Sequence, residues 1–126
     1  RPDFMPFKDR VEVSAASLEE DLRASDLVIF SYSTVAAEAF IRGIPVWQWL
    51  PVDFNGSVFR DLKGVIRTFC SVGNLRSELE RFLADPAPFI PGDAAMALVM
   101  EKCFYKGDGK ACERIAERVA ALVAKG

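Results

Sequence analysis

The sequence predicts an α/β domain of three layers, in which helices flank a parallel sheet. Three apolar segments, residues 27–30, 46–50 and 65–70, have the composition of buried strands. Helix-forming segments follow the first and the third, an alternation typical of parallel strands joined by helices. The 126 residues have room for one core but not for two domains. We therefore expect a single Rossmann-like domain, with its C-terminal helices packed alongside the sheet.

The N-terminal segment contains a helix with a recognisable start. Ser17 and Glu20 have capping-box spacing, in which the serine accepts from the helix backbone and the glutamate reaches back. This helix is expected to end near residues 23–25. Residues 11–14 form a strand candidate before it, and the apolar residues 27–30 form the first strand of the predicted sheet.

A helix over about residues 34–42 is predicted between the first two strands of the sheet. Ser33 is its expected N-cap, and Gly43 supplies the usual C-terminal stop. The strand over residues 46–50 follows directly, opened by Pro45.

Loops and helices alternate through the rest of the chain. In order we predict a loop over residues 51–57, one helical turn over 59–62, a strand over 65–70, and helices over 74–84, 94–104 and 110–125. The last helix is expected to carry an apolar stripe formed by Cys112, Ile115, Val119 and Leu122.

The composition argues against several function classes. The net charge is -2 and the basic residues are dispersed, so nucleic acid is not an expected partner. No apolar run approaches the roughly 18 residues of a transmembrane segment. The chain has no histidine, and its three cysteines lack zinc-site spacing, so we expect neither a metal nor another cofactor. The odd number of cysteines favours a reducing, cytoplasmic location.

Polar residues follow the predicted strands at the edge where parallel α/β sheets bind ligands. The loops concerned are residues 31–34, 51–57 and 71–74. In the first loop, small hydroxyl side chains precede a helix whose free backbone N–H groups suit phosphate oxygens. Glu38 lies one helical turn beyond Thr34, where its carboxylate could accept hydrogen bonds from ribose hydroxyls. The alternative is ordinary helix capping with a solvated or ion-paired glutamate.

The segment STVAAEAFIRGIPV, which begins at Ser33, resembles the donor-binding segment of GT-B glycosyltransferases. In that family a turn rich in Ser and Thr, a helix glutamate and a Gly-x-Pro sequence recur in the C-terminal domain, and Glu38, Gly43 and Pro45 match this spacing. The resemblance covers about residues 17–86. It is closest to the enzymes of bacterial surface-carbohydrate assembly.

This resemblance implies a site for a nucleotide-diphosphate or nucleotide-monophosphate sugar. The hydroxyl groups of the first loop would face the phosphates, and the glutamate would hold the ribose. The residues implied in binding are Ser31, Ser33, Thr34, Glu38 and Asn55. Candidates for the basic phosphate clamp of the family are Arg60, Lys63 and Arg67.

The resemblance also implies that residues 1–126 are one partial domain of a two-domain protein. The acceptor-binding N-terminal domain and the first strand–loop–helix unit of the donor domain have no counterpart in the sequence, and the first residue is Arg. We therefore expect the chain to be inactive alone. The implied location is the cytoplasm, either free or at the inner face of the membrane.

Two other functions remain open. One is a non-catalytic α/β module that packs against a partner domain. The other follows from Cys70 and Arg76, whose C-x5-R spacing resembles the phosphate loop of low-molecular-weight protein tyrosine phosphatases. Asp85 resembles their general acid, but a helix would separate it from Cys70 by about 15 Å. The simpler interpretation of Cys70 is a buried residue at the end of a strand.

Aromatic residues surround the loop over residues 51–57. Trp47 and Trp49 lie on the strand before it, and Phe54 and Phe59 lie in or after it. We expect these residues to belong to the core, since the strand is predicted to be buried on both faces. The alternative is that one of them stacks on a nucleotide base or a sugar.

Overall fold

The computed structural model describes residues 9–62 and 64–126. Its α-helices in these ranges are α1 (Leu18–Ala24), α2 (Val35–Ile41), α3 (Val72–Ala84), α4 (Asp93–Val99) and α5 (Ala111–Lys125). Its strands are β1 (Val28–Phe30), β2 (Val46–Trp49) and β3 (Arg67–Phe69). A short 3-10 helix (Ala87–Phe89) precedes α4, and a π-helical turn (Met100–Phe104) continues it.

The three strands form one parallel sheet in the order β1-β2-β3. Phe30 lies opposite Gln48, and Gln48 lies opposite Thr68, so these residues form one row across the sheet. Because the strands are parallel, their carboxyl ends meet at one edge. The predicted α/β fold with a parallel sheet is confirmed, and its strands lie one to three residues inside the predicted bounds.

The larger core lies between one face of the sheet and α2. Ala36 and Ala39 of α2 are both completely buried, and their small side chains let the helix backbone approach the strands closely. Phe59 packs on Phe30 and Phe40, with ring centroids 5.6 and 6.0 Å apart. The turn that carries Phe59 is therefore anchored in the core.

A second apolar cluster covers the opposite face of the sheet. Trp47 is 2% exposed, and its ring centroid lies 5.2 Å from that of Phe69, 5.8 Å from Phe82 and 5.7 Å from Phe89. These contacts join β2 and β3 to α3 and to the 3-10 helix. The tilted and edge-to-face ring geometries are the ones that aromatic pairs prefer.

Two sequence predictions near the ends of the domain are wrong. Residues 11–14 form no strand, and the side chains of Val11 and Val13 are both exposed. A strand needs a neighbouring strand to pair with, and alternating valines alone do not provide one. Only some of the C-terminal helices pack against the rest of the domain. Helix α4 contacts α2, whereas the predicted stripe on α5 is exposed, with Ile115 at 63%. An amphipathic pattern identifies an apolar face but not what covers it.

Two predicted helix boundaries are confirmed by their backbone geometry. Gly43 follows α2 with a φ of +79°, the left-handed conformation that a glycine stop supplies. At α1, the Ser17 hydroxyl accepts from the Glu20 N–H at 3.3 Å, and the Glu20 carboxylate accepts from the Ser17 N–H at 2.8 Å. This reciprocal pair is the predicted capping box.

Among the described residues, no helix is both long and apolar enough to cross a membrane.

We expect the variant Ser17→Ala to raise the pKa of Glu20 toward its ordinary value. Hydrogen bonds from the Ser17 hydroxyl and then from its backbone N–H lower this pKa in the folded protein. Their contribution to stability is therefore present above the unfolded-state pKa and is lost as the pH falls through the folded-state pKa. A carboxyl-resolved NMR titration measures the change.

Ser14→Ala is the matched control for this titration, because the Ser14 hydroxyl donates to Asp21 instead. It should leave the Glu20 pKa unchanged. An unchanged Glu20 pKa in Ser17→Ala would contradict the role given to the capping hydroxyl.

Candidate functional site

The loops that follow β1 and β2 meet at the carboxyl edge of the sheet. The Tyr32 hydroxyl, in the turn after β1, donates to the backbone carbonyl of Phe54, in the loop after β2, at 3.2 Å. Two of the three polar loops predicted from the sequence are therefore in direct contact. The edge position is the one where ligands bind in parallel α/β sheets.

A buried glutamine on the central strand links these loops. Gln48 is completely buried, and its Nε2 donates to the carbonyl oxygen of Ser31 at 2.8 Å and to Oδ1 of Asn55 at 3.0 Å. Its Oε1 accepts from Nδ2 of Asn55 at 3.2 Å and from the Thr68 hydroxyl at 3.4 Å. Both donors and both acceptor positions of the amide are thus used. We call these four residues the amide network.

A groove of about 650 Å³ opens beside the amide network. Its polar part is formed by Asn55 and Thr68, with the completely buried amide of Gln48 behind them. Its apolar part is formed by Phe54, Phe59, Leu62 and Ile66, and its remaining lining residues are Asp53, Arg60 and Gly64. The groove therefore combines neutral hydrogen-bonding groups, aromatic surface and one charge of each sign. These are the features of a site for a polar ligand with a flat, apolar part.

Phe54 is an exposed part of the groove, with 70% of its surface accessible. The loop around it has room for the ring because residue 56 is a glycine. A Cβ at Gly56 would lie only 3.0 Å from the Phe54 ring carbon Cε1, closer than side chains normally approach. The expectation of a core position is wrong for Phe54, whereas Phe59 and Trp47 are buried, as predicted. Trp49 is half-buried beside Trp47.

The hydroxyl turn at the start of α2 differs from its prediction. Thr34, not Ser33, occupies the N-cap position, and its side chain makes no capping hydrogen bond. The Ser33 hydroxyl accepts from the Val35 N–H at 3.3 Å, and the next two N–H groups of the helix bond to the carbonyls of Ser33 and Thr34. The expectation of free N–H groups is therefore wrong for the first turn of α2, because tight turn bonds use them.

Glu38 lies on the side of α2 that faces away from the core. Helical periodicity places it opposite Ala36 and Phe40, and on the same side as Thr34, as its four-residue spacing predicted. Its side chain is half-buried, yet it forms neither a hydrogen bond nor an ion pair with residues 9–62 or 64–126. Neither Glu38 nor Thr34 lines the groove.

The three candidate clamp residues fall in different places. Arg60 lines the groove, and its guanidinium lies 3.4 Å from the carboxylate of Asp61. Arg67 lies on the other face of the sheet, where it pairs with Glu78 and stacks on the ring of Phe89 at 4.7 Å. Lys63 lies outside the described residues. Of the two candidates within the described residues, Arg60 is thus the one that can reach a ligand in the groove.

The three residues that resemble a phosphatase site, Cys70, Arg76 and Asp85, do not form a common site. Cys70 is exposed, not buried as expected. It follows the last residue of β3, Phe69, and Thr68, the preceding residue on the same side of the strand, is exposed as well. Arg76 pairs with Glu80 along the surface of α3 at 3.9 Å. Asp85 is the C-cap of this 13-residue helix, at the far end from Cys70 as the sequence predicted. The helix is longer than expected, so the separation is about 20 Å and not about 15 Å. This separation prevents Cys70 and Asp85 from acting on one phosphoryl group.

Sequence reasoning missed Gln48, which organises the site. The available signal was a single amide within the apolar segment VWQWL, on a strand predicted to be buried. A buried amide has to find hydrogen-bond partners, so this position predicts a polar network, although not its members.

No protein-family model, curated protein or solved structure matches this chain. Within the described part of the chain, no three acidic, cysteine or histidine side chains lie close enough together to hold a metal ion.

Proposed function

We propose that this chain is the larger part of a Rossmann-like, nucleotide-sugar-binding domain of a GT-B glycosyltransferase that assembles a bacterial surface carbohydrate. The observation that carries the proposal is the groove beside β2 and β3. Its wall over residues 53–55 lies at the carboxyl edge of the parallel sheet and contacts the hydroxyl turn through the Tyr32–Phe54 hydrogen bond. The spacing of Glu38, Gly43 and Pro45 supports the same ligand class.

The nucleotide base would occupy the groove, and the phosphates and ribose would extend along the hydroxyl turn. Phe54 offers an exposed aromatic face for stacking, and Arg60 offers a cation. The second N–H of the Asn55 amide and the Thr68 hydroxyl can hydrogen-bond to a polar ring edge. Ser33 and Thr34 would lie beside the phosphates.

Glu38 would bind the ribose in this arrangement. A half-buried carboxylate without a protein partner among the described residues is suited to accepting hydrogen bonds from a pair of vicinal hydroxyls. In the reaction, such a domain orients the donor and stabilises the leaving phosphate. The acceptor and the base would come from the partner domain.

Thermal unfolding with a panel of UDP-, GDP-, CDP- and CMP-activated sugars tests this proposal. A ligand present at ten times its Kd stabilises the folded state by about 1.4 kcal/mol, which raises the Tm of a domain of this size by roughly 4 °C. We expect one class of nucleotide to give this shift and the free sugars, as controls, to give none. No shift with any of them at millimolar concentration would contradict the proposal.

We expect the variant Glu38→Gln to weaken the nucleotide sugar that binds by about tenfold, because a neutral amide replaces the charged acceptor. The 2′-deoxyribose analogue should lose less affinity, since one of the two hydroxyls is already absent. Calorimetric titration of both ligands against both proteins measures the difference. Equal losses for the two ligands would exclude a ribose contact.

A further inference from the structure

The amide network joins segments that are distant in the sequence. Gln48 bonds to Ser31, Asn55 and Thr68, which lie 17, 7 and 20 residues away. Ser31 directly follows β1, Asn55 lies in the loop after β2, and Thr68 lies on β3. One buried side chain therefore connects all three strands at the edge where the groove opens.

The loop over residues 51–57 depends on this connection. Val52, Asp53 and Phe54 are all exposed, so apolar burial does not hold them in place. Asn55 is half-buried and makes two side-chain bonds to Gln48, while its Oδ1 also accepts from the Ser57 N–H at 3.1 Å. Asn55 thus attaches the loop to the central strand, in addition to the hydrogen bond from Tyr32 of the neighbouring turn to the Phe54 carbonyl.

We propose that Gln48 is a positioning residue, whose buried amide holds Asn55 and thereby fixes the loop that forms one wall of the groove. Gln48 has no further donor to offer a ligand, because its two N–H groups already bond to Ser31 and Asn55. Gln48 acts instead by fixing the positions of Asp53 and Phe54 in the loop. That this wall contacts a nucleotide sugar rests on the proposed function, whereas the positioning itself does not.

Local proteolysis tests the positioning without a ligand. Chymotrypsin cleaves after Phe54, in the loop, and after Tyr105, which is 69% exposed and lies outside it. In Asn55→Ala we expect cleavage after Phe54 to become about tenfold faster relative to cleavage after Tyr105, since loss of the bonds to Gln48 raises the open population of the loop. Peptide mass spectrometry measures both cuts in the same sample. Each rate is divided by the rate for the same bond in a synthetic peptide of the same sequence, because Asn55 directly follows the bond that is cut after Phe54.

Two further variants separate positioning from general destabilisation. Asn55→Asp keeps the Oδ1 acceptor for Gln48 but puts a carboxylate oxygen opposite Oε1 of Gln48, so it should also accelerate cleavage after Phe54. Thr68→Val removes a 3.4 Å bond to Gln48 that does not involve the loop, and it should leave the ratio within about twofold of the parent. Equal acceleration at Phe54 and Tyr105, or an unchanged ratio in Asn55→Ala, would overturn the proposal.

The side-chain amide signals of Gln48 supply a spectroscopic check. In the parent protein both N–H protons are buried and hydrogen-bonded, so they should exchange slowly with solvent. In Asn55→Ala one of them should exchange much faster while the backbone amides of β2 stay protected. Loss of protection throughout β2 would mean that the variant only destabilises the fold and would overturn the local role. Because neither measurement uses a nucleotide sugar, their outcome is independent of the proposed function.

Discussion

The variant Trp47→Ala should lose about 3–5 kcal/mol of unfolding free energy, the largest effect of any single truncation considered for this chain. Trp47 is almost completely buried and contacts three other aromatic rings, which belong to β3, α3 and the 3-10 helix. Removal of its side chain leaves a cavity that is bordered by all three of these elements. Since domains of this size are stable by roughly 5–15 kcal/mol, this loss is a large fraction of the total free energy of unfolding.

Chemical denaturation followed by circular dichroism measures this loss. Phe54→Ala is the matched control, because it removes an aromatic ring that is 70% exposed, and its effect should stay within about 0.5 kcal/mol. A loss below about 1.5 kcal/mol in Trp47→Ala would contradict the packing described for the second apolar cluster.

The second large effect is expected at Gln48. The variant Gln48→Leu should lower the free energy of unfolding by about 2–3 kcal/mol, because the carbonyl of Ser31 and the amide of Asn55 lose their hydrogen-bond partners inside the fold. Asn55→Ala alone should cost less, since Asn55 is only half-buried. The double variant should be less destabilised than the sum of the two, by about 1 kcal/mol or more.

Equilibrium unfolding of the parent, the two single variants and the double variant completes this cycle. Additive effects, within about 0.3 kcal/mol, would mean that Gln48 and Asn55 do not interact, which would contradict the amide network. Thr68→Val, which removes the longest of the Gln48 bonds at an exposed residue, should change stability by less than about 1 kcal/mol.

Local sequence signals predicted the elements of the fold well. The capping box at Ser17 and the glycine stop at Gly43 depend on neighbouring residues alone, and both appear as expected. Two predictions that needed a distant partner failed. Residues 11–14 had the alternation of a strand but no strand to pair with, and α5 has an apolar stripe that no described residue buries.

The site was only partly predictable for the same reason. Strand order explains why the hydroxyl turn and the loop containing Asn55 share one edge. The amide network depends on the register that sets Gln48 opposite Thr68, and register is a property of the folded sheet. Cys70 illustrates the same limit, because it follows an edge strand on which Thr68, on the same side, is exposed as well.

The most direct test of the central claim is a residue-resolved NMR titration with the nucleotide sugar that stabilises the protein. If the ligand binds along the carboxyl edge of the sheet, the largest amide shift changes should fall on residues 31–34, 53–55 and 66–68, together with Arg60 and Glu38. Shift changes confined to α3 or α5, or no changes at saturating ligand, would contradict a nucleotide-sugar site at this edge.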